Sequence, residues 1–203
     1  MGLDQASGTL ERSILRRSTG WWVPLAIAAF SLAVGIAGSS ARLLLRYDRS
    51  GIADGEFWRF ATGHFTHLGT GHLILNIAGL LLVWLLIGSS FTVYSWMFVI
   101  AFSIAVIDLG FWYFDPQLEW YVGLSGLLHG MLAAGLLRRL RNVPGESIVL
   151  GSVIIAKIAY EQFAGPLPGS EASTGGAVVV NAHLYGAIAG VVAAALLRIR
   201  AAL

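Results

Sequence analysis

Six apolar stretches, at about residues 21–38, 71–88, 91–113, 121–137, 147–164 and 178–197, divide the 203-residue chain, and each is near the length of a membrane-spanning helix. Roughly 20 apolar residues carry an α-helix across a hydrocarbon core of ~30 Å, and an unpaired backbone is not tolerated there. The pattern therefore predicts an all-α membrane protein of six transmembrane helices. Composition agrees: 57% of residues are apolar and 12% are charged, against about 25% charged in soluble domains, and the mean hydropathy is +0.75. The 25 glycines are spread through the apolar runs, as in closely packed membrane helices. With no cysteine in the chain, thiol nucleophiles, disulfides and cysteine metal sites are excluded. A net charge of +2 is too small to argue for nucleic acid.

Charge placement sets the expected topology. Arg12, Arg16 and Arg17, then Arg138, Arg139 and Arg141, then Arg198 and Arg200 all fall on one side of a six-span chain. By the positive-inside rule that side is cytoplasmic, which puts both termini inside. The first 20 residues then form a cytoplasmic tail and 21–199 the membrane domain. The basic tail also resembles the start of a signal peptide, but the first apolar run is long for the hydrophobic region of one. The opposite side receives Asp115, Glu119 and Glu171, together with a long first loop at about 39–70. That loop mixes Arg42, Arg46, Arg49 and Arg59 with Asp48, Asp54 and Glu56 and carries Phe57, Trp58, Phe60 and Phe65, as expected of an amphipathic segment at the outer interface. Residues 165–176, rich in Gly, Pro and Ser, are expected to be a mobile outer loop.

Ionisable and strongly polar side chains are costly in a bilayer, so each one inside an apolar run is a functional candidate. The second run opens with His72 and Asn76, which an i, i+4 spacing places on one helix face. The fourth opens with Gly123, Ser125 and Gly126, followed by His129. The sixth carries Asn181 and His183, then Gly186 and Gly190 on the face of His183. Asp108 lies in the third run and Lys157 and Glu161 in the fifth. A serine at the head of one helix and a histidine on a second, packed through glycines, have the makings of a nucleophile and base. His72, Asn76 and the Ser125 amide at a helix N-terminus would supply donors to a developing oxyanion.

These residues resemble the rhomboid intramembrane serine proteases. Four motifs occur in that family's order: Trp58-Arg59, His72 with Asn76, Gly123 through Gly126 around Ser125, and Ala182-His183 followed by Gly186 and Gly190. The resemblance implies Ser125 as nucleophile, His183 as general base and acid, and His72 with Asn76 as the oxyanion site. It implies a dyad, so the lack of an obvious third carboxylate in the sixth run is expected; no cofactor and no metal are expected. Gly123, Gly126, His129, Gly186 and Gly190 would support the site. Many rhomboids place a tyrosine where His129 stands, stacked on the catalytic histidine, so the support of His183 differs here.

Within the family the chain looks most similar to bacterial rhombosortases, in the runs Gly123 to Gly130 and Asn181 to Gly186 and in the segment from Lys157 to Gln162. That subgroup implies transmembrane substrates, namely exported proteins with a C-terminal Gly-Gly sorting tail. It also implies a bacterial inner membrane and a polar cavity open to the periplasm, lined by His72, Asn76, Ser125 and His183 and covered by the 165–176 loop. Lys157 and Glu161 are expected to neutralise each other, with contact to His129 or substrate as the alternative. Asp108 is expected to pair with a loop arginine or the backbone. His64, His67 and His72 lack the spacing and carboxylate of a metal motif, and His67 reads as structural. Two other functions fit some features: an inactive rhomboid-like protein that binds membrane segments, and a small transporter with Asp108, Lys157 and Glu161 as a relay.

Overall fold

The computed structural model describes residues 20–200. The arginines of the tail, Arg12, Arg16 and Arg17, lie outside the described residues, so the placement of the N-terminus rests on sequence. Six long helices make up most of the described residues. Helix α1, Trp22–Leu45, leads to a short strand β1, Tyr47–Asp48, and two single-turn helices, α2 (Arg49–Ala53) and α3 (Trp58–Thr62). After them come α4 (Thr70–Ile87), α5 (Val93–Phe114), strand β2 (Trp120–Tyr121), α6 (Ser125–Arg139), α7 (Pro144–Ala164), the short α8 (Ser170–Thr174) and α9 (Val180–Arg200). Local signals set several starts: the Thr92 hydroxyl accepts from the Ser95 amide at the head of α5, and Pro144 opens α7, where its missing N–H has no helical partner to lose.

Five of these helices are long and apolar enough to cross a membrane. The fourth, α6, has 15 residues and so spans only about 22 Å. Its run was expected to begin at 121, but Gly123 holds φ at +138°, a value open in practice to glycine alone, and the helix starts after it. The surface is apolar in the way lipid contact demands: Leu85 and Ile155 are each 70% exposed and Phe163 is 93% exposed.

Helix α6 stands at the centre, packed on α9, α5, α4 and α7, with its most extensive contact to α9. One buried cluster joins Leu80, Trp84, Trp96, Leu127 and Met131 across α4, α5 and α6. A second, at the other end, joins Tyr47, Ile52, Phe111, Tyr121 and Ala182.

The first loop is shorter and more structured than expected. Helix α1 runs past a break at Gly38 (φ 80°, ψ −156°) to Leu45, because helix-compatible residues follow the glycine and it acts as a kink, not an end. The four arginines of the loop each have a structural partner. Arg42 donates to the Leu68 carbonyl, and Arg46 pairs with Asp48 at 2.6 Å. Arg59 donates to the Leu43 and Arg46 carbonyls at 2.9 and 3.0 Å. Arg49 donates to the carbonyls of Phe111, Trp112 and Asp115 at 2.7, 3.1 and 3.2 Å, satisfying the orphan acceptors at the C-terminus of α5. Strand β1 pairs antiparallel with β2, Tyr47 opposite Tyr121. Residues 46–69 form a folded unit tied to the chain just ahead of α6.

The 165–176 stretch carries local helical structure. It contains α8, bracketed by Gly169 and Gly175 at φ near 80°, and α8 lies so close to α4 that a Cβ on Gly71 would come 2.8 Å from the Ser173 carbonyl oxygen.

Candidate active site

The segment leading into Ser125 is held from both sides. The Tyr121 hydroxyl donates to the Gly123 carbonyl at 2.6 Å, and the Gly123 amide donates to the Gly63 carbonyl at 3.2 Å. Ser125 is then the first residue of α6, half-buried, with its Oγ 2.9 Å from Nε2 of His183.

Close backbone approach makes that distance attainable. A Cβ on Gly126 would come 2.8 Å from the carbonyl oxygen of Ala182, the residue before His183. Cβ atoms on Gly186 and Gly190 would overlap the carbonyls of Gly126 and Gly130. Helices α6 and α9 thus meet main chain to main chain, as small-residue interfaces permit. Gly123, Gly126, Gly186 and Gly190 are all at the site or in the contact that builds it.

His183 has three further neighbours. Its Nδ1 lies 2.8 Å from Glu161 Oε2, and the Lys157 ammonium donates to Glu161 Oε1 at 2.7 Å. The His129 ring stacks on the His183 ring with centroids 4.3 Å apart and planes 23° from parallel. His129 Nδ1 lies 2.7 Å from the Ser125 carbonyl, and a carbonyl only accepts, so that nitrogen carries a proton. Lys157 and Glu161 do pair, as the sequence suggests, but the pair also reaches His183. The far nitrogen of the histidine thus faces a carboxylate that stands on α7, not on its own helix. Its signal was present: two charged residues one helical turn apart inside an apolar run.

Nδ1 of His72 accepts from the Leu68 amide at 3.4 Å. The ring proton of neutral His72 is then on Nε2, which faces Gly123: a Cβ there would come 3.1 Å from that atom. Asn76 is 5% exposed and its Nδ2 has no partner among the described residues, a buried donor left free at a cost of ~1–3 kcal/mol. His67 packs edge-on against His72, centroids 5.0 Å apart. Burial, with His72 beside it, pushes the His67 imidazole down to about 3, so it is neutral and structural.

Asp108 does not bond a loop arginine or the backbone. His64, fully buried in the first loop, takes it at 3.2 Å, which also separates His64 from His67 and His72. Asn181 turns away from His183 and donates to Asp115 at 2.6 Å. A cavity of about 1070 Å³ lies among Trp21, Trp84, Trp96, Arg138, Arg139 and Arg198.

No curated protein matches the chain. A family model described as the Rhomboid domain matches residues 54–200, an interval that takes in part of the folded loop, Ser125 and His183 and most of the chain. A multi-pass helical bundle with these residues at the meeting of α4, α6 and α9 accords with that match, and the chain belongs to the rhomboid family.

Proposed function

We propose that this protein is an intramembrane serine endopeptidase. The observation that carries the reading is the 2.9 Å contact between Ser125 Oγ and His183 Nε2, inside a bundle whose outer surface is apolar. In the proposed reaction His183 takes the Ser125 proton as Oγ attacks the scissile carbonyl. The Ser125 amide, His72 Nε2–H and Asn76 Nδ2–H stabilise the oxyanion. Protonated His183 gives its proton to the leaving amine, and water then resolves the acyl-enzyme through the same base.

The short α6 fits a six-span topology in which the nucleophile is sunk below the surface. From Arg138 at one interface to Ser125 is about 20 Å along the helix, roughly two thirds of the way across a ~30 Å core. The clusters at Arg138, Arg139 and Arg141 and at Arg198 and Arg200 support a cytoplasmic position for that end, so the serine would face the outer leaflet. We assign the membrane as the bacterial inner membrane and the open side as periplasmic. The substrates we favour are exported proteins whose tail combines a Gly-Gly motif, an apolar span and a basic cluster, on the likeness of the segments around Ser125, Lys157 and His183 to rhombosortases.

The test uses purified protein in detergent or liposomes, a fluorophosphonate probe and a reporter bearing a Gly-Gly tail. Wild type is expected to label and to cleave, and Ser125→Ala to do neither. Labelling that survives in Ser125→Ala overturns the assignment, and binding of the reporter without cleavage by wild type favours an inactive binding protein.

A further inference from the structure

We infer that Glu161 is the third member of a Ser125–His183–Glu161 relay and that Lys157 is its clamp, a deepening that rests on the protease reading. Ser125, His183 and Glu161 lie in line on three helices, with 2.9 Å between Oγ and Nε2 and 2.8 Å between Nδ1 and Oε2. A carboxylate only accepts, so the hydrogen between Nδ1 and Oε2 belongs to the ring. The Nε2 lone pair is then the one facing the serine hydroxyl, the tautomer a general base requires. Glu161 is 3% exposed, so its two oxygens depend on protein partners. The Lys157 ammonium donates to its other oxygen at 2.7 Å and fixes its rotation.

The charges near His183 make the roles of the two residues separable. Facing it are Lys157 and Glu161 from α7, Ser125 and His129 from α6, and His72 from α4. Asp108 on α5 and Asp115 just past its end are engaged by His64 and Asn181. Lys157 Nζ is 3.2 Å from His183 Nδ1, so an ammonium and a carboxylate stand side by side against the ring. With both present the pair is near neutral, and what Glu161 supplies is the hydrogen bond that orients the ring. Removing Glu161 alone leaves an ammonium beside the base; removing Lys157 alone leaves an unopposed carboxylate.

The experiment measures fluorophosphonate labelling rate against pH for the full chain in detergent, with thermal unfolding of each variant alongside. Glu161→Gln is expected to slow labelling about 100-fold or more and to move the pH midpoint down. Lys157→Met should move it up, and Glu161→Asp should recover part of the rate. The double variant Glu161→Gln with Lys157→Met should label faster than Glu161→Gln alone. Wild-type labelling with Glu161→Gln at the same rate and pH midpoint overturns the inference and leaves the protease reading standing. Absence of Ser125-dependent labelling in wild type overturns the protease reading instead. If Glu161→Gln fails to fold, the midpoint of Lys157→Met decides: an upward shift supports the relay and an unshifted profile overturns it.

Discussion

Gly186 and Gly126 face each other so closely that a Cβ on the first would overlap the carbonyl of the second, and this contact brings His183 within 2.9 Å of the Ser125 hydroxyl. The helix–helix interface and the reactive pair are thus one structural unit.

Gly186→Ala is expected to separate α6 from α9. Overpacking in a tight core costs about 1–3 kcal/mol, and a displaced histidine loses its contact with Oγ. A lower melting temperature in detergent together with a fall in fluorophosphonate labelling would be seen; unchanged values for both would contradict the packing argument.

Asn76→Ala and His72→Ala each remove a donor proposed to act on the oxyanion. Loss of one such donor typically lowers kcat by about 100- to 1000-fold, with KM little altered because the ground-state carbonyl gains less from it. Steady-state cleavage of the tailed reporter separates the two constants. A rise in KM at constant kcat would instead assign these side chains to substrate binding.

His64 and Asp108 tie the first loop to α5 from buried positions. Removing one partner leaves the other unsatisfied, with an expected loss of about 3–5 kcal/mol if the pair is charged. His64→Leu combined with Asp108→Leu should lose less than the sum of the single changes. Additive losses in a double-mutant cycle would show that the two do not interact.

His67 makes stability depend on pH with a defined sign. Its folded value of about 3 lies below the ordinary 6.5, so the unfolded chain binds the proton more readily. The destabilisation is absent above pH 6.5, grows as pH falls below it, and levels off near pH 3. His67→Phe should flatten the melting temperature across that window, whereas an unchanged slope would place the titration elsewhere.

Much of the site was legible because charge and polarity are rare in apolar runs. His72, Asn76, Ser125 and His183 stood out as polar groups without local partners, and the glycines near them marked close packing. Lys157 and Glu161 stood out too, but an i, i+4 ion pair satisfies itself on its own helix, and nothing in one dimension points it at α9. Asp108 was misassigned for a related reason: its partner, His64, is 44 positions away, and arginines in the same loop looked equally suitable.

What the sequence by itself determined is what repeats along the chain or lacks a neighbour on it: the all-helical membrane class, the helix positions, and the serine and histidine that no apolar span would hold without use. Tertiary structure alone decided which way each helix is turned about its axis. That rotation comes from side-chain packing between helices, and it sets Glu161 on His183, His129 against the same ring, and Arg49 on the end of α5. It also decided the form of the first loop, whose hydrogen bonds reach chain more than 60 residues on, beyond the range of any local pattern.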